Sequence, residues 1–145
     1  MKMRVKMVDS EYIEEMGYSV VTIATDCGLF TGEAWLHPDD EDHASSFAGC
    51  GYAEIRALIK YMKRKAYIAD YQLQAVMQIK KDLDNRKYHN ENSIEYKLIQ
   101  KQIYMLEDEK QQFKTHAETL KRKLTASINE RDAYLKKILE KKQDK

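Results

Sequence analysis

Proline is nearly missing from this chain, with Pro38 its sole representative among 145 residues, and glycine occurs only 5 times. So few helix breakers, beside 34% charged and 43% apolar residues, suit long helices and argue against a disordered tail. Cysteine is scarce too. Cys27 and Cys50 cannot make a disulfide framework, which points to a reducing cytoplasm. No run approaches the 18 or so apolar residues of a membrane-crossing helix. The opening MKMRVKMV has no apolar signal-peptide core. The chain also lacks a glycine-rich phosphate loop, a Gly-x-Ser-x-Gly elbow, paired Cys-x-x-Cys and His-Glu-x-x-His. With those motifs absent, no enzyme, catalytic residue or cofactor is expected.

What is present is unevenly charged. Residues 1–51 hold 3 Lys/Arg against 10 Asp/Glu, and residues 52–145 hold 22 against 14. An acidic front of −7 therefore precedes a basic rear of +8. Such asymmetry steers association, with another protein or between copies of the same chain.

The front reads as strands. Met1, Met3, Val5 and Met7 alternate with Lys2, Arg4 and Lys6, the period of a half-buried strand. SVVTIAT (19–25) is rich in β-branched residues, DCG (26–28) is a turn signal, and LFTGEAWL (29–36) is the return strand. Gly49 and Gly51 read as a flexible joint.

From Tyr52 the period changes. Tyr52, Ile55, Ile59, Met62, Ala66, Ala69, Leu73 and Val76 recur at threes and fours, a heptad seam that Lys80 interrupts. A break at 84–93 precedes a second seam: Tyr96, Ile99, Ile103, Leu106, Lys110, Phe113, Ala117, Leu120 and Leu124. It continues through Ile128, Arg131, Leu135 and Ile138 after a stutter. Asn92 with Glu95 fits a capping box for this helix.

The expected fold is α+β: a small antiparallel β head (1–51), then a long antiparallel helical hairpin (52–145), a coiled coil with helices at about 52–88 and 93–142 and the head and hairpin forming one structural unit. The second helix overhangs the first by roughly 20 Å at the usual rise. Ile128, Tyr134, Leu135 and Ile138 in that overhang are the expected contacts of a homo-oligomer, a dimer or higher. An assembly or scaffold protein whose coiled coil serves only to oligomerise is one of the functions this pattern allows.

Three groups of residues are candidates for binding. HPDDEDH (37–43) joins four carboxylates and two histidines, but its spacing matches no zinc or EF-hand set, so no metal is expected. Its Asp39, Asp40, Glu41 and Asp42, with Asp26 and Glu33, form either a solvated loop with helix-capping aspartates or an acidic surface for a basic partner. Lys63, Arg64, Lys80, Lys81, Arg86 and Lys87 are the candidates for nucleic-acid contact, although acids such as Asp70, Asp82 and Asp84 interleave with them. Tyr52 and Tyr96 are expected in the core, and Tyr12, Tyr18, Tyr61 and Tyr88 at an interface. Trp35 is expected to pack against the first helix.

GLFTGEAWLHPDDED and GCGYAEIRALIKYMKRK resemble small accessory proteins of bacteriophages that infect Gram-positive bacteria. The resemblance covers the hairpin, the acidic loop and the start of the first helix. It implies a phage or prophage origin and a place in the host cytoplasm. It also implies action by binding and inhibiting a host protein complex, defence systems among them. No functional residue is carried over by it.

Overall fold

The computed structural model describes residues 3–13, 15, 17–35, 46–86 and 93–143. Three strands and two helices follow one another: β1 (Val5–Ile13), β2 (Tyr18–Thr25), β3 (Gly28–Trp35), α1 (Ser46–Asp84) and α2 (Ile94–Gln143). The fold is α+β, an antiparallel sheet of order β1-β2-β3 followed by a helical hairpin.

Thr25 pairs with Gly28, so Asp26 and Cys27 alone connect β2 to β3. The Thr25 hydroxyl closes this turn. It accepts from Cys27 N at 3.0 Å and donates to Gly28 O at 2.8 Å. Gly28 takes a φ of 111°, a conformation that a Cβ would strain. β1 pairs antiparallel with β2 and carries one extra residue between Met7 and Asp9. This bulge shifts the side-chain alternation of β1 by one place.

The chain divides into two compact units, Met62–His116 and Lys2–Tyr61 with Ala117–Lys145. In the first, the heptad seam is the buried stripe. Ala66, Ala69 and Leu73 of α1 and Tyr96, Leu106 and Phe113 of α2 are buried. The helices run antiparallel. Lys65 Nζ lies 5.5 Å from the Phe113 ring, Lys110 Nζ 2.7 Å from Asp70 Oδ1, and Lys80 Nζ 5.9 Å from the Tyr96 ring. Lys110 stands in the seam because Asp70 neutralises it there. Lys110 also holds the Asp70 carboxyl below the ordinary carboxylate range, chiefly through that hydrogen bond. Ser93 Oγ accepts from Tyr96 N at 3.2 Å and so caps α2. Asn92, of the expected capping box, lies outside the described residues.

In the second unit, α1 covers one side of the sheet. Ala53 and Ala57 are fully buried beside Gly32 of β3. A Cβ on Gly32 would collide with Ala53 O and come within 2.6 Å of Ala57 N. A Cβ on Gly49 would collide with Ser19 Oγ. Gly49 and Gly51 are helical rather than a joint, since α1 begins before them. Tyr61 is fully buried beside Phe30, with ring centroids 5.9 Å apart. Its hydroxyl donates to Asp26 Oδ1 at 2.5 Å. Tyr61 is thus an anchor of the turn and not an interface residue. Tyr52 OH reaches Ser127 O at 3.4 Å, so α1 and α2 run antiparallel here too.

The overhang residues differ among themselves. Leu135 is buried, Ile128 and Ile138 are half-buried, and Tyr134 is 63% exposed. Leu135 needs no second copy to cover it.

Candidate functional site

Antiparallel pairing puts directly opposed side chains on the same side of a sheet. The side toward α1 therefore carries Met7, Ile23 and Phe30 in one row, Ser10, Val21 and Gly32 in the next, and Tyr12, Ser19 and Ala34 in a third. The other side carries four rows of its own. They are Ile13–Tyr18–Trp35, Glu11–Val20–Glu33, Asp9–Thr22–Thr31 and Lys6–Ala24–Leu29.

This outer side is the candidate site. Trp35, expected in the core, is 61% exposed on it, because Gly32 and Ala34 occupy the α1 side of β3. The Trp35 and Tyr18 rings lie 4.3 Å apart between centroids, tilted by 41°. Ile13, in the same row, is 40% exposed, while Leu29, 69% exposed, lies three rows away at the opposite end of the face. An apolar end thus adjoins a row with two carboxylates. Partial desolvation pushes the Tyr18 phenol above its ordinary range, and the Glu33 and Glu11 carboxylates push the same way. The surface is an aromatic platform edged with negative charge, which suits a basic or mixed basic-apolar protein segment.

Of the acidic residues expected to bind, Glu33 lies on this face and is exposed. Asp26 lies at the β2–β3 turn and takes the Tyr61 hydrogen bond. Asp39, Asp40, Glu41 and Asp42 lie outside the described residues, as do His37, His43 and Tyr88. Among the described residues no three His, Cys, Asp or Glu side chains gather as a metal set.

The basic residues are distributed differently. Arg64 stacks over Tyr67 at 5.1 Å, and Lys80 sits over Tyr96. Lys63 and Arg64 are exposed, as are Lys81 and Arg86. Lys87 lies outside the described residues. Lys80 and Lys81 line a half-open cleft of about 320 Å³ with Met77, Tyr104, Asp84 and Glu107. The two carboxylates oppose a phosphate there. Lys80, the cation that interrupts the α1 seam, places its ammonium 5.9 Å from the ring of Tyr96, a seam residue of α2.

Sequence reasoning missed Glu11 and the Tyr18–Trp35 pair as parts of one site. Glu11 follows a bulge that alternation could not reveal. Compared with known proteins, the chain matches no family model, no curated protein and no solved structure. No helix among the described residues is long and apolar enough to cross a membrane.

Proposed function

We propose that this chain is a non-catalytic protein-binding module that docks a basic, partly apolar segment on the outer side of its sheet. One observation carries this reading: the exposed ring of Trp35 packs on the half-buried ring of Tyr18 beside Glu33 and Glu11. Aromatic side chains offer large contact area at small entropic cost, and neighbouring carboxylates select the charge of what lands on them. The acidic run at 39–42 follows Trp35 closely in sequence and adds four carboxylates to this part of the chain. The phage-protein resemblance supports a host protein complex as the target and its inhibition as the outcome.

The test is capture from a bacterial lysate on the tagged chain, with and without nuclease. A protein complex retained after nuclease and lost on Trp35→Ala with Glu33→Lys is the expected result. Recovery that collapses with nuclease would overturn it in favour of the basic helices.

A further inference from the structure

The two edges of the sheet are unequal. At the β3 edge, Arg56 Nη1 donates to Glu33 O and Lys60 Nζ to Thr31 O, each at 2.6 Å. Charged groups at an edge are a common guard against unwanted strand pairing. The outer edge of β1 pairs with no strand among the described residues.

The phase of the ladder shows which groups that edge presents. Thr31 and Glu33 aim their carbonyls away from β2, so their partners Thr22 and Val20 turn their backbone groups toward β1. Thr22 and Val20 pair with Asp9 and Glu11, and Ala24 with Lys6. Those three β1 residues therefore bond inward. Val5, Met7, Ser10 and Tyr12 present their N–H and C=O groups outward.

Because of the bulge, this outward set is symmetric about the Val8–Asp9 bond. A second β1 brought up antiparallel would pair Val5 with Tyr12 and Met7 with Ser10 through backbone hydrogen bonds. The same register sets Lys6 opposite Glu11 of the second copy, twice by symmetry. These are non-hydrogen-bonded positions, where side chains approach most closely. Each pair also matches in side: Lys6 and Glu11 both lie on the outer side, Val5 and Tyr12 both toward α1. Val5, Met7 and Val8 are 39%, 51% and 51% exposed, an apolar strip at the edge itself. Without the bulge, this register would put inward groups against outward ones.

We propose that β1 is a homodimer edge, along which two copies join antiparallel into one six-stranded sheet with Lys6 against Glu11 across the axis. The partner is a second copy of this chain, chosen by self-complementary charge and register. Dimerisation along β1 does not depend on binding at the outer side of the sheet.

The experiment is sedimentation or light scattering of the full chain and its charge variants. The expected mass is twice 17.1 kDa. Lys6→Glu alone and Glu11→Lys alone each set like charges opposite one another twice and should weaken dimerisation by about tenfold. An equimolar mixture of the two single variants should recover the dimer, since each then complements the other. That recovery also shows that both variants fold. Val5→Pro removes an outward N–H while leaving the β1–β2 ladder intact, and should give a monomer with unchanged circular dichroism. A wild-type chain that stays at 17.1 kDa would overturn the proposal, even if it bound a foreign peptide along β1. So would a dimer indifferent to all three changes, or a mixture that dimerises no better than its parts.

Discussion

Arg56 of α1 holds the main-chain oxygen of Glu33 at 2.6 Å, and Lys60, one helical turn on, repeats the contact at Thr31. Two cations spaced by four residues thus lie along β3 and meet alternate carbonyls of one strand edge. Replacing both by Ala should cost about 1 kcal/mol per hydrogen bond, read from urea denaturation. It should also raise the tendency to aggregate, since a second edge is then open.

Tyr61 is a buried ring whose hydroxyl donates to the Asp26 carboxylate at the β2–β3 turn. Tyr61→Phe keeps the ring and removes the contact, and the expected loss is about 1.5 kcal/mol, the low end for a bond to a charged group near solvent. The phenol is also pushed upward, by burial first and then by the Asp26 hydrogen bond and charge. A raised folded pKa means that the folded chain keeps this proton after the unfolded chain begins to lose it. The contribution is fully present below about pH 10 and is lost as pH rises above it. In Tyr61→Phe this part of the alkaline decline in melting temperature should disappear.

Gly32 is the closest approach of α1 to the sheet, and a Cβ there meets backbone rather than a side chain that could swing away. Gly32→Ala should therefore destabilise by about 3 kcal/mol or more. A loss under about 0.5 kcal/mol, the scale of an ordinary surface change, would mean that the helix does not lie against β3.

Much of this architecture is legible in the amino acids. Every member of the α2 seam from Tyr96 to Ile138 is buried or half-buried, as a repeat of threes and fours demands. The turn at Asp26 and the strands beside it follow from β-branched runs around a DCG signal. The site was less legible, because its sidedness hangs on single-residue parity. Whether Trp35 faces α1 or water depends on where the β2–β3 turn sets the register, and a shift of one residue reverses every side chain. The bulge at Val8 is marked by no residue type in the local pattern, and the close approach of helical Gly49 to Ser19 joins segments distant in sequence.

The Asp70–Lys110 pair is partly exposed, with side chains 39% and 28% accessible. A double-mutant cycle should therefore give only the small coupling of a solvent-screened pair, falling further as salt is added. The Asp70 carboxyl is held low by Lys110. Its contribution is thus present above about pH 4 and is lost as pH falls through the lowered folded value. In Asp70→Asn, the decline of stability toward acid should be slightly shallower.

With a single tryptophan beside 10 tyrosines in the chain, fluorescence excited beyond the tyrosine absorption band reports on the outer side of the sheet alone. Trp35 should emit as a largely hydrated indole. Caesium should quench it better than iodide, because Glu33 and Glu11 attract the cation and repel the anion. Adding salt should narrow that difference.

The most direct measurement compares capture of the lysate partner by three chains side by side: wild type, Trp35→Ala with Glu33→Lys, and Tyr67→Ala with Tyr104→Ala. The last pair removes exposed tyrosines from the helices and leaves the sheet unchanged. If the outer side of the sheet is the binding surface, the first variant loses the partner and the second keeps it. If the tyrosine variant loses the partner while the sheet variant keeps it, the binding surface lies on the helices and not on the sheet.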